Sequence, residues 1–378
     1  MKAINTLKFK IGNNLSIRIK QMQSILTASL FAISMVLVPW GTVTAQVTGD
    51  AVKWHPGHYM VLVADGKYSS SYRQQVYTEL QQTPALRGVV VRYSWGELEK
   101  GKGNYDFSNI EKLLDELAAR KKRLVILMEI KASSADSYEI VPDYVKTAAY
   151  DGGFYTFSNS NLGSTVGRGM KLWNAQVEDR MSALVRALAK RFNSHPSFEG
   201  FGFTETAMGQ PTKPLSVSTK ETYYRNLLNL NKLTKASFAN TMTFQYTNYP
   251  RDILESYTKT FKDIGTALAG PDVFLNDVGL NQGLYTYFPK LSGIIPVAIQ
   301  VEEHSYKCSN FSCSGAKPEM RELLNFARDR LDVNYIFWVR APGYYREVLE
   351  LLNFSAQKGT ASGGLKAACP SAYPSCAK

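Results

Sequence analysis

Phe198-Glu199-Gly200-Phe201-Gly202-Phe203-Thr204 runs directly into Glu205, and Ile295-Pro296-Val297-Ala298-Ile299-Gln300-Val301 runs directly into Glu302. Each is an apolar segment of strand length that ends on a carboxylate. Working outward, further runs with the same character occur at His58–Val63, Gly88–Tyr93, Arg123–Ile130, Thr241–Tyr246, Asp272–Asp277 and Tyr335–Val339. Helical periodicity fills the intervals. In Ser108–Lys121, Ile110, Leu113, Leu114 and Leu117 fall on one face, and Ser108 with Glu111 has the spacing of a capping box. Trp173–Asn193, Ser218–Phe238, Pro318–Leu331 and Tyr344–Asn353 follow the same period. Eight strands alternating with helices predict an α/β fold, a closed (β/α)8 TIM barrel with long βα loops at one face. An open doubly wound sheet would place a glycine-rich phosphate turn after its first strand, and this chain has none.

In such a barrel the C-terminal ends of all strands open on one mouth, so Glu205 and Glu302 are expected to share it. Side chains alternate in and out along a strand. Val297, Ile299 and Val301 are therefore expected to face the helices, and Ala298, Gln300 and Glu302 the interior, which favours Glu302 over Glu303. Val89 and Val91 facing outward leave Arg92 to enter the barrel. Glu129 and Lys131 end the third strand in one phase, and the eighth ends at Trp338. Two carboxylates in different surroundings are what glycosidic cleavage needs: one protonates the leaving oxygen while the other attacks the electron-poor sugar carbon.

The first 45 residues carry Lys2, Lys8, Lys10, Arg18 and Lys20, then the apolar run Ile25–Trp40 and the small-residue site Val43-Thr44-Ala45. This reads as a secretory signal peptide (1–45), too short in its apolar part for a comfortable membrane span, ahead of a catalytic domain at 46–353. No other run is apolar enough to span a bilayer, so no stable span is expected after its removal. Removing these five positive charges and no acidic residue lowers the formal balance from +12 to about +7, a modest excess that permits an acidic polysaccharide and does not call for nucleic acid. The expected location is secreted or periplasmic. Cysteines fall in two close pairs, Cys308 with Cys313 and Cys369 with Cys376, without CxxC spacing. An oxidising compartment favours two local disulfides, the second stapling a Gly-, Ser-, Ala-, Lys- and Pro-containing tail at 354–378. His55, His58, His195 and His304 make no HExxH motif, so neither a metal nor another cofactor is expected.

The phrase Tyr93-Ser94-Trp95-Gly96-Glu97-Leu98-Glu99-Lys100-Gly101-Lys102-Gly103-Asn104-Tyr105-Asp106-Phe107, followed by a helix and the strand Leu124–Leu127, resembles the second and third βα units of clan A glycoside hydrolases. The resemblance implies a retaining mechanism with an acid/base glutamate after strand four and a nucleophile after strand seven, the positions of Glu205 and Glu302. Arg92 matches an arginine of strand two and Trp338 a tryptophan ending strand eight. Trp95 and Gln245, with Glu129 and Lys131, complete the expected substrate contacts. The chain departs from the clan at Thr204, where asparagine usually precedes the acid/base and touches a sugar hydroxyl; threonine is shorter and has no amide to donate. Glu205 is expected to rest protonated and Glu302 ionised beside Arg92.

Between Lys131 and Trp173 an insertion of about forty residues carries Tyr138, Tyr144, Tyr150, Phe154, Tyr155 and Phe157. These rings either stack on sugars or build a satellite core within the loop. The function expected is a secreted retaining glycoside hydrolase acting on a poly- or oligosaccharide. Its rivals are a non-catalytic carbohydrate-binding barrel, suggested by Thr204, and a polysaccharide lyase, which Lys131 and the basic balance permit.

Overall fold

Eight parallel strands close on themselves in sequence order in the computed structural model: β1 (Gly57–Val61), β2 (Leu86–Tyr93), β3 (Arg123–Met128), β4 (Phe198–Phe203), β5 (Met242–Tyr246), β6 (Ala267–Gly270), β7 (Val297–Val301) and β8 (Tyr335–Val339). The structure describes residues 49–133, 139–158 and 166–378; the expected signal segment and Tyr138 lie outside them. The helices following the strands are α1 (Ser70–Gln82), α2 (Ser108–Ala118), α3 (Ala175–Phe192), α4 (Val217–Ser237), α5 (Leu254–Ile264), the short α6 (Phe288–Leu291), α7 (Met320–Asn325) and α8 (Tyr345–Leu352). This is the (β/α)8 barrel that the alternation predicts.

Local rules explain most boundaries. On α2, Ile110, Leu113, Leu114 and Leu117 are all buried, each contributing about 1.5–3 kcal/mol of apolar burial. The Ser108–Glu111 capping box does not form, because helix entry comes one residue earlier and Asp106 Oδ1 instead accepts from the Ser108 amide at 3.0 Å and hydroxyl at 2.6 Å. The sixth strand is also displaced. It is Ala267–Gly270, and Asp272–Asp277 is the loop beyond it. A strand of only four residues, Ala267-Leu268-Ala269-Gly270, gives little periodic signal, whereas the apolar residues Val273, Phe274 and Leu275 of the loop imitate a strand.

Strand phase inside the barrel can be read from contacts. Phe244 meets Phe337 across the interior at 5.7 Å, and Tyr246 donates to Gln300 Oε1 at 3.0 Å, so the even residues of β5 and β7 point inward. In β4 the pairing register with β3 shifts between Phe198 and Gly200. That bulge lets Glu199 point into the barrel floor while Phe201 stacks outward on Phe238 at 4.8 Å. At the floor Glu199 accepts from the His55 amide at 2.7 Å and the Tyr335 hydroxyl at 2.8 Å, and its other oxygen meets His55 Nδ1 at 2.8 Å.

Both cysteine pairs are bridged, Cys308 to Cys313 and Cys369 to Cys376. The C-terminal residues pack under the barrel rather than hanging from it. Ser375–Ala377 pairs in parallel with Ala51–Lys53, Trp54 Nε1 donates to the Ala367 carbonyl at 3.0 Å, and Tyr373 is buried. Gly363 sits at φ +64° against the His58 ring, where a Cβ would lie 2.3 Å from a ring carbon, so both backbone and space require glycine.

Candidate active site

The ends of β4 and β7 bring Glu205 and Glu302 to one cavity of about 380 Å3 at the barrel mouth, lined also by Arg92, Glu129, Lys131, Thr204, Tyr246, Asp272 and Gln300. Glu302 receives donors from three elements. Arg92, inward on β2, places a guanidinium nitrogen 2.5 Å from Oε1, and Gln300 Nε2 donates to the same oxygen at 2.9 Å. The Glu303 amide donates to Oε2 at 3.1 Å. Gln300 is fixed in turn by Tyr246 and by the Pro271 carbonyl, which accepts from Nε2 at 3.2 Å. Glu303 is exposed and pairs with Lys307 at 2.6 Å. Burial lowers the proton affinity of Arg92, but Glu302 and Glu129 outweigh it and hold the guanidinium charged.

Glu205 lies beyond the end of β4, so the loop and not the pleat aims it. Lys131 Nζ is 2.7 Å from Oε1 and also donates to the Ala207 carbonyl at 2.6 Å. Asn248 Nδ2 donates to Oε2 at 2.7 Å, while its Oδ1 accepts from the amides of Ala207 and Tyr249 at 3.1 and 2.8 Å. Burial pushes the Glu205 carboxyl up, but Lys131 and Asn248 outweigh it and hold it below the usual carboxylate range. The expected protonated resting state is therefore not what this geometry favours: an ammonium at contact distance stabilises the anion.

Two other carboxyls line the same cavity under opposite conditions. Glu129 is only 6 % exposed and its Oε2 has no hydrogen-bond partner among the described residues. Burial pushes it up, against the opposing influence of Arg92 and Lys67. Asp272 is held well above its ordinary range by burial and by the neighbouring charges of Glu205 and Glu302.

Of the expected contacts, Arg92, Glu129, Lys131 and Thr204 line the cavity with the two glutamates, whereas Trp95, Gln245 and Trp338 do not. Trp95 is fully buried and donates to Glu99 Oε2 at 2.6 Å, where Glu99 also holds the Gly103 amide and Arg180. It packs the phrase together instead of facing a ligand. Gln245 points outward, accepting from Asn231 of α4 at 3.0 Å and donating to the Thr204 carbonyl at 2.5 Å. Trp338 also faces the outer layer, donating to His58 Nδ1 at 3.0 Å, since Tyr335 and Phe337 take the inward phase of β8. Thr204 acts partly on backbone: its hydroxyl accepts from the Ile130 amide at 3.0 Å. Sequence reading missed Asn248 and Asp272, which stand in loops past strands five and six; Gln300 was legible from its phase with Glu302.

The insertion after β3 folds into an antiparallel sheet of Lys131–Ala132, Val166–Met170 and Phe154–Ser158, which Gln210–Pro211 from the loop after β4 extends. Tyr155 and Phe157 are buried in it, Tyr155 packs on Trp173 at 5.3 Å, and its hydroxyl donates to the Met208 carbonyl. The rings build a satellite core. They also carry Lys131, whose ammonium sits 5.2 Å from the Phe157 ring centre. A larger groove of about 830 Å3 runs beside the mouth between α4 and α5, past Met208, Tyr224, Tyr249 and Tyr257, and does not contain the glutamate pair.

In sequence the chain matches no protein-family profile and no curated protein. Solved structures similar to it include the catalytic domain of beta-amylase from Paenibacillus polymyxa, with a TM-score of 0.51, 10% identity, and coverage of 79% of this chain and 98% of that one. Beta-galactosidase from Bacillus circulans sp. alkalophilus gives a TM-score of 0.56 at 9% identity over 79% of this chain and 56% of its own. Endo-glycoceramidase II from Rhodococcus sp. gives 0.51 at 13% identity over 78% and 76%. Their folds agree with the barrel described above. At such identities they show the fold alone.

Proposed function

We propose that the chain is an extracytoplasmic retaining glycoside hydrolase acting on a poly- or oligosaccharide. The observation that carries this reading is the sharing of one open cavity by Glu205 and Glu302, each held by its own cation. Glu302, oriented by Arg92, Gln300 and the Glu303 amide, attacks the anomeric carbon and forms a glycosyl ester. Glu205 donates a proton to the leaving oxygen and afterwards takes one from the attacking water. Because Lys131 favours the Glu205 anion, the acid step is expected to run best at acidic pH. The two disulfides and the signal-like segment support an oxidising, extracytoplasmic location.

Hydrolysis of a glycan panel, with the anomer of the first product followed by NMR, tests this. Net retention is expected, and inversion would require a water between the two carboxyls. The Lys131–Glu205 pair favours one second reading, a carbohydrate-binding barrel without efficient hydrolysis; glycans bound but never cleaved by the intact protein would select it.

A further inference from the structure

We propose that this cavity recognises a cationic amino sugar, a glucosamine-type residue of a glycan, through the carboxyls of Glu129 and Asp272. The proposal names the substrate class of the site and rests on the glycosidase reading.

The cavity wall carries four carboxyls, Glu129, Glu205, Asp272 and Glu302, against two cations, Arg92 and Lys131. Both cations are engaged, Arg92 with Glu302 and Lys131 with Glu205. Lys67, whose charge also acts on Glu129, is paired with Glu97 at 2.7 Å and donates to the Arg92 carbonyl at 2.7 Å. No cation among the described residues is paired with Glu129 or Asp272. Glu129 moreover presents a buried oxygen that nothing in the described structure satisfies, an arrangement that costs free energy.

A neutral sugar hydroxyl would satisfy the hydrogen bond of Glu129 but leave both carboxyls without a counter-charge. An ammonium group satisfies both, with three donors and one positive charge. Both carboxyls are displaced upward, toward their protonated forms, and a bound ammonium supplies the counter-charge that lets them ionise. A uronate would add a further anion to this wall, so the cavity disfavours the acidic polysaccharide that the basic overall composition permits, and with it the lyase alternative. Net charge describes the whole surface, whereas recognition depends on charge within reach of the ligand.

The test uses the full mature chain, with calorimetric binding and hydrolysis measured in parallel on matched oligomers of glucosamine, N-acetylglucosamine, glucose and a uronic acid, at a pH where the amine is protonated. The glucosamine oligomer should bind about tenfold or more tightly than its N-acetylated counterpart, the factor a charge-assisted hydrogen bond supplies. Asp272→Asn and Glu129→Gln, tested separately so that a folding defect in one leaves the other informative, should shrink that ratio toward one. A variant that merely loosened the site would weaken all four ligands alike. Equal binding of charged and N-acetylated oligomers, preference for the uronate, or an undiminished ratio in both folded variants would overturn the proposal. Hydrolysis of neutral glycans without amine preference would sink the amino-sugar assignment and leave the hydrolase standing. Selective binding of glucosamine oligomers with no cleavage of any glycan would do the reverse. Binding to none of the four would remove both.

Discussion

Glu199 at the barrel floor, in β4, and Glu129 at its mouth, just past the end of the neighbouring β3, are nearly equally buried carboxyls, yet they are driven in opposite directions. Burial pushes both up. At Glu199, His55 and its backbone amide overcome that and bring the carboxyl down to about 2, with Tyr335 donating as well. At Glu129 no comparable donor set exists among the described residues, one oxygen is unpartnered there, and the carboxyl stays raised. Burial alone therefore does not distinguish a structural acid from one held ready for a ligand; completeness of the donor set does. The two ends also differ in what faces them, a packed floor of aromatic rings below and an open cavity above.

The largest effect expected of any substitution at the mouth is that of Glu302→Gln, which should lower turnover by about four orders of magnitude or more on natural and activated aryl glycosides alike. Steady-state rates with folding checked by circular dichroism measure it, and near-normal turnover would remove Glu302 from chemistry. Glu205→Gln should lose about 10²- to 10⁴-fold on glycosides with poor leaving groups while still attacking an activated aryl glycoside. It should accumulate the covalent intermediate, and azide should restore turnover. Equal, unrescued loss with both substrate types would show that Glu205 is not the acid/base.

Floor and mouth should then separate by stability. Glu199→Gln breaks a satisfied buried network and should destabilise the protein by about 3 kcal/mol in denaturant unfolding, leaving KM nearly unchanged. Glu129→Gln should change stability by less than about 0.5 kcal/mol or raise it. The pH dependences have opposite signs. With its folded pKa depressed from 4.5 to about 2, Glu199 contributes stability that is present above the unfolded value and lost as pH falls toward 2. With its folded pKa raised above 4.5, Glu129 contributes stability that is full below the unfolded value and lost as pH rises through the folded one. Unfolding curves across acidic pH for the two variants should show these two slopes disappear one at a time; a common slope would break the distinction.

The smallest effect concerns Lys131. Lys131→Met removes the ammonium that holds Glu205 ionised, so the alkaline limb of the pH-rate profile for a poor leaving group should move to higher pH. An unmoved limb would mean that another group delivers the proton.

What the sequence by itself determined is the order and type of the elements. Alternating apolar runs and amphipathic helices specify a barrel, since hydrophobic period is a local property, and strand ends place Glu205 and Glu302 at one mouth because all parallel strands of a barrel share their direction. In-and-out alternation also placed Arg92 and Gln300 inward, where contacts along β2 and β7 have them. Tertiary structure alone decided the rest. The bulge in β4, the inward turn of Phe337 that sends Trp338 outward, and the outward Gln245 each invert a phase, and register depends on neighbouring strands that no local pattern records. Asn248 and Asp272 enter the site from loops, where backbone direction follows packing instead of period. The charge state of each carboxyl, finally, is a sum over donors brought together from distant parts of the chain: Lys131, Asn248 and Glu205 meet only because the barrel closes.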